Sequence, residues 1–213
     1  MRRNTSLRLS PAETHWTSMM KRILILGANG QLARNTTRYF LKHDEVYLTL
    51  YLRQAHRLQS MASQSVRVFE GDVLDPESLR EAMQGQDVVY ANLSGPMERQ
   101  ARAIVDAMHA TGVKRLIFVS SMGIYGEVTG ERYRSILDPY RDSAALIEAS
   151  DVDYTILRPG WFTHEAAIDY QLTRKGESFR GHDVSLNSLS DLIVKLALTP
   201  GMELRQSLGV SQV

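Results

Sequence analysis

Directly after four consecutive apolar residues, Ile23-Leu24-Ile25-Leu26, the chain reads Gly27-Ala28-Asn29-Gly30-Gln31-Leu32-Ala33. Glycines at this spacing let a backbone turn tightly and come close to a pyrophosphate. A helix opening at the turn aims its unpaired N–H groups and its positive dipole end at the negative charge. Ala33 is small enough for that helix to pack closely on the preceding strand. A bare G-x-x-G-x-x-A spacing is weak evidence, but here an apolar strand precedes it and a helical pattern follows, which is the context a dinucleotide-binding turn requires. Gly27, Ala28, Asn29, Gly30, Gln31 and Leu32 are therefore the expected cradle for a nucleotide's paired phosphates.

About 20 residues beyond such a turn, an acid hydrogen-bonds the ribose 2′-hydroxyl of NAD, whereas an arginine suits the 2′-phosphate of NADP. The residues here are Leu50, Tyr51, Leu52 and Arg53, with no acid at the strand end. NADP is favoured over NAD, since Arg53 can fork two hydrogen bonds to a phosphate and His56 or Arg57 can add charge.

Other chemistries are disfavoured. There is no cysteine, so disulfides, thiolate metal sites and thiol nucleophiles are excluded, and a reducing, cytoplasmic setting is expected. The six histidines, at 15, 43, 56, 109, 164 and 182, show no metal-ligand spacing, and no G-x-S-x-G elbow occurs. Lys plus Arg is 25 against 24 for Asp plus Glu, a net charge of +1, which disfavours nucleic acid as a partner. No apolar run approaches a membrane span.

The elements that must position these residues alternate along the chain. Strands are expected at Ile23–Leu26, Val46–Tyr51, Val66–Phe69, Asp87–Ala91, Leu116–Ser120 and Tyr154–Arg158, with a strand-like run at Leu204–Val210. Helices are expected at Leu32–Leu41, Glu77–Met83, Met97–Ala110 and from Asp138 to about Ala149, with Asp138 as N-cap and Pro139 first inside. Ser188 and Asp191 have capping-box spacing before Leu192, Ile193, Leu196 and Leu198, and Pro200-Gly201 ends that helix. Such alternation builds βαβ units around a parallel sheet. One domain is expected over 21–213. Residues 1–20, with Arg2, Arg3, Arg8 and the single acid Glu13, read as a disordered extension weakly similar to a transit peptide, with Met19 or Met20 as an alternative start.

Four further stretches extend the glycine turn into a longer pattern: Gly71-Asp72-Val73, Ala91-Asn92-Leu93-Ser94-Gly95, Phe118-Val119-Ser120-Ser121 and Leu157-Arg158-Pro159-Gly160. With them the chain resembles the short-chain dehydrogenase/reductase superfamily, and more narrowly its atypical, NmrA-like branch of NAD(P)H-binding proteins. The resemblance implies a three-layer, doubly wound Rossmann fold with a mainly parallel sheet. It places Asp72 and Val73 beside the adenine, and Leu93, Ser94 and Gly95 along the ribose and nicotinamide side. Arg158, Pro159 and Gly160 would line the pocket beyond the nicotinamide, and Ser120 joins the cofactor-binding set.

The superfamily pairs a Ser with a Tyr and a Lys four residues later. Ser121 matches the serine, and Pro139-Tyr140-Arg141-Asp142-Ser143-Ala144 follows the P-Y-x-x-S-K form until the last position, where Ala144 replaces the lysine. Arg141, one residue from Tyr140, is on the wrong helix face to substitute. Ser121 and Tyr140 are the candidate catalytic residues, with Tyr125 and His164 as alternative proton sources. Hydride transfer to a flavin or quinone gives an anion that solvent can protonate, so orientation can suffice, with Trp161, Phe162, Tyr125 and Met122 as stacking surfaces. The expected function is an NADPH-dependent oxidoreductase of a small planar acceptor such as a flavin, quinone or carbonyl compound. The alternative is a non-catalytic NmrA-like sensor that engages an unknown protein partner, and an epimerase or dehydratase ranks third. The expected partner is otherwise a small-molecule substrate, and the oligomeric state is left open.

Overall fold

In β1 (Lys21–Leu26) the apolar run is divided between two cores. Ile23 and Ile25 face one side and Leu24 and Leu26 the other, and all four are fully buried, because a strand alternates its side chains and this one carries a helical layer on each face. Truncating any one of them to Ala would cost about 2–5 kcal/mol. The structure is a computed structural model that describes residues 20–213; the expectations for the N-terminal extension lie outside the described residues, apart from Met20.

Around β1 the remaining sheet strands are β2 (Val46–Leu52), β3 (Val66–Glu70), β4 (Val88–Ala91), β5 (Arg115–Val119), β6 (Asp153–Pro159), β8 (Gln171–Arg174) and β10 (Gln206–Ser211). They make an eight-stranded sheet in the order β3-β2-β1-β4-β5-β6-β10-β8, parallel throughout except where β8 joins β10. Helices α1 (Gln31–Phe40) and α5 (Leu186–Leu198) cover the face of Ile23 and Ile25. The face of Leu24 and Leu26 is covered by α2 (Pro76–Met83), α3 (Met97–Thr111) and α4 (Asp138–Glu148). This is the doubly wound α/β class that the alternation implies. The strand order reverses between β1 and β4, and the crevice outside the carboxyl ends of strands at such a switch point is where this architecture takes its ligands.

The helix starts need two corrections. Asp138 is the first residue of α4 rather than its cap, which falls at Leu137 without a side-chain bond. For α5 the cap is Ser185, whose Oγ accepts from Ser188 N at 3.0 Å, so Ser188 lies inside the helix. Three strands were not expected: β8, and the pair β7 (Trp161–Thr163) and β9 (Asp183–Ser185), which form a separate two-stranded parallel sheet. Each is three or four residues long and carries no apolar run, so its pairing is decided by tertiary context rather than by local pattern. Among the described residues no helix is long and apolar enough to cross a membrane.

Candidate functional site

Two clefts open side by side along the carboxyl edge of the sheet. The first, about 820 Å³, lies over the ends of β1, β2, β3 and β4. Its floor is the glycine turn. Gly27 takes φ +73°, and a Cβ there would sit 2.1 Å from the Asn92 carbonyl oxygen. At Gly30 an added Cβ would meet the Asn92 amide at 2.8 Å. The turn is therefore pressed onto the β4 loop, held by Gly30 N donating to Gly27 O and by Asn92 N donating to Leu26 O, both at 3.0 Å.

The start of α1 has the chemistry of an anion site. Gly30 offers no capping side chain, the first turn holds no acid, and Arg34 N is the first amide to reach the cap carbonyl. The amides of Gln31, Leu32 and Ala33 are thus left without protein acceptors among the described residues. Helix α2, in contrast, is closed by Asp75, whose side chain accepts from Glu77 N and Ser78 N. A dinucleotide's phosphates fit the unsatisfied donors of α1.

Of the expected cofactor-binding residues, Gly27, Asn29, Gly30, Arg53, Asp72, Val73, Leu93, Ser94 and Gly95 line this cleft. Pro159 and Gly160 line the second cleft instead. Ala28 and Leu32 are buried in the core and can contribute only main chain. Gln31 lies outside both linings, its Nε2 3.2 Å from His164 Nε2. Ser120 is buried, and its Oγ donates to the Tyr140 carbonyl oxygen. The sequence reading missed Tyr51, Asn92 and Gln100. The Tyr51 hydroxyl donates to Asp72 O at 2.8 Å and would collide with any Cβ at Gly71. Asn92 stood inside a quoted stretch, so its signal was present. Arg57 joins Arg53 on the wall, where Asp72 is the one acid of the lining, whereas Glu70, at the end of β3, is not part of the lining and accepts from Ala55 N at 2.9 Å.

The second cleft, about 650 Å³, lies over the ends of β5 and β6. Ser121, Met122, Tyr140, Pro159, Gly160 and Trp161 line the side nearest the sheet, and residues 128–137 form the outer wall. The structure thus brings both candidate catalytic residues to one cavity. Ser121 Oγ donates to Met122 O at 3.1 Å. Ala144 is fully buried between α4 and the core, so a lysine there would place its ammonium among apolar side chains. Arg141 is no substitute, being paired with Asp138 and Asp142 and stacked over Tyr133.

Two expectations fail here. Arg158 does not line the second cleft: it is fully buried and ion-paired to Glu127, and its Nε donates to Ser207 Oγ at 3.0 Å. The Glu127 carboxylate in turn accepts from Gly123 N and Tyr125 N, at 3.0 and 2.9 Å, so the pair holds the loop after Ser121 in shape. Tyr125 is no proton donor. Its hydroxyl is used on Glu148 Oε1 and Ser207 Oγ, and burial, with Glu148 beside it, pushes the phenol well above the ordinary tyrosine value. Of the proposed stacking surfaces, Trp161 and Met122 reach the cleft; Tyr125 and Phe162 do not line it.

A family model described as NAD(P)H-binding matches residues 27–200, which includes the glycine turn, both clefts and all of α5. The chain belongs to this NAD(P)H-binding family. A Rossmann-fold NAD(P)-binding family protein from Shigella flexneri is 42% identical, with a TM-score of 0.81, the alignment covering 91% of this chain and 94% of that one. A short-chain dehydrogenase/reductase from Veillonella parvula in complex with NADP is 27% identical, with a TM-score of 0.83 over 91% of this chain and 95% of that one. Quinone oxidoreductase 2 from Escherichia coli is 26% identical over 145 residues, 66% of this chain and 49% of that protein. The chain thus spans about half the length of that relative, and 54% of an NAD(P)H azoreductase from Xenophilus azovorans.

Proposed function

We propose that the protein is an NADPH-dependent reductase of a small planar acceptor. The observation that carries this reading is the adjacency of the two clefts: one is floored by unsatisfied helix amides, and the next along the sheet edge is lined by Ser121, Tyr140, Met122 and Trp161. The quinone oxidoreductase and azoreductase relatives support it, since the acceptors in their names are planar and conjugated. NADPH is preferred over NADH on the strength of Arg53 and Arg57 in the first cleft, of the strand-end acid being committed elsewhere, and of the relative solved with NADP.

Gly27 and Gly30 let the main chain approach the pyrophosphate, the α1 amides donate to its oxygens, Arg53 takes the 2′-phosphate, and Asp72 and Val73 flank the adenine. Leu93, Ser94 and Gly95 guide the nicotinamide half toward Pro159 and Gly160. Bound NADPH would supply a hydride, two electrons and a proton, to the acceptor and be oxidised to NADP⁺. Ser121 and Tyr140 orient the acceptor ring, and solvent delivers the remaining proton, because no lysine stands beside Tyr140 to activate it. Purified protein mixed with NADPH and a panel of flavins, quinones and aldehydes should consume NADPH with at least one quinone or flavin, read as absorbance loss.

The buried Ala144 favours a second reading, a dinucleotide sensor without turnover. NADPH binding with no consumption across the whole panel would select it.

A further inference from the structure

The outer wall of the second cleft carries an excess of positive charge among the described residues. Arg132 and Arg134 both line it, and neither side chain has an ion-pair or hydrogen-bond partner among the described residues, whereas Arg141 nearby is held by two aspartates. The acids on this side are accounted for. Glu131 shares the lining, Asp138 is engaged by Arg141 and Tyr133, and Asp142 by Arg141. One carboxylate against two guanidinium groups leaves the wall positive. Alongside stands exposed apolar surface: the planar ring of Trp161, 55% exposed and set against His182 at 6.4 Å, and the aliphatic side chain of Ile136, 70% exposed. An exposed indole at a cavity mouth offers a stacking face, and unpaired guanidinium groups fork hydrogen bonds to carboxylate or phosphate oxygens.

Resting on the reductase reading, we propose that the acceptor is an organic anion: a planar conjugated ring that carries a carboxylate or phosphate. The ring lies against Trp161 with its reducible edge toward Ser121, Tyr140 and Pro159, and its acidic group is bound by Arg132 and Arg134. The shared recognition chemistry is a delocalised oxyanion at the far end of a ring. The 128–137 segment is then the specificity-determining wall, separate from the floor that faces the nicotinamide.

The test uses matched pairs that differ only in the charge. Flavin mononucleotide is compared with riboflavin for the phosphate arm, and a carboxylated naphthoquinone with its methyl ester for the carboxylate arm. Binding is followed by flavin or tryptophan fluorescence with NADP⁺ present at saturation, so that the first cleft is filled. The wild-type protein should prefer the acidic member of at least one pair by roughly tenfold, an advantage that shrinks with added salt, and the pair showing it identifies the anion. In the doubly substituted Arg132→Gln, Arg134→Gln protein the acid-to-neutral ratio should fall to about one. Equal affinity for both members of both pairs, or a preference that survives the double substitution, overturns the proposal. A preference lost in the double variant, without consumption of NADPH by any of the four compounds, leaves the anion site standing and removes the reductase reading instead.

Discussion

Main chain makes the cleft over β1 to β4; side chains make the cleft over β5 and β6. In the first, the decisive groups are the amides at the start of α1 and two glycines whose missing Cβ atoms are replaced by Asn92. In the second, they are Ser121, Tyr140, Trp161 and two arginines on an irregular segment. A site of backbone amides has a fixed preference, for phosphate, and fails outright when its geometry is disturbed. A site of side chains grades its response and can change what it selects. On the proposed reading, the difference also sets what each cleft contributes: the first would hold the dinucleotide and the second would choose what is reduced.

The largest effect should come from the backbone site. Gly27→Ala adds a Cβ 2.1 Å from the Asn92 carbonyl oxygen at a left-handed φ. The backbone strain alone is about 1–3 kcal/mol. Calorimetric titration with NADPH should show affinity reduced roughly a hundredfold or more, with the folded state checked by circular dichroism. Normal affinity would mean that the turn does not hold the phosphates. Next is Arg53→Glu, which should weaken NADPH by roughly 10–100-fold, the worth of a charged hydrogen bond, and NADH far less. Equal losses for both coenzymes would show that Arg53 does not read the 2′-phosphate. The smallest effect should be in the side-chain site. Tyr140→Phe should lower kcat/KM by less than about tenfold, because a general acid, whose loss costs about 10²–10⁴, needs an activating cation that this helix lacks. A drop of that larger size would make Tyr140 the proton donor and weaken the contrast between the clefts.

The same contrast explains what could be read before the fold was known. The glycine turn was legible because its demand is local: a strand, two glycines and a helix start lie within a dozen residues. Strands β1 to β6 announced themselves as short apolar runs for the same reason, all but the edge strand β3 being buried on two faces. Arg158 was misplaced because its partner, Glu127, lies 31 residues earlier, in the loop after β5, and is brought to it only by the tertiary fold. Ser188 looked like a cap because its spacing to Asp191 is right, but Ser185 lies at the end of β9, a three-residue strand with no sequence signature of its own. The outer wall of the second cleft was not noticed at all, since two arginines in an irregular segment resemble any solvated loop until the cavity beside them is seen.

The buried pairing of Glu127 with Arg158 bears on how this protein can diversify. By tying the amides of Gly123 and Tyr125 to the sheet interior, it makes the reacting end of the acceptor pocket a rigid anvil, while the stretch from Val128 to Leu137 hangs outside that brace. The exposed residues 129–136 can therefore be exchanged, lengthened or recharged without disturbing where a hydride would be delivered, whereas Val128 and Leu137 pack against Gly123 of the braced loop. A library confined to that stretch should retune acceptor choice in proteins that still fold and still bind dinucleotide, whereas one that reaches back across Glu127 should yield mostly unfolded chains.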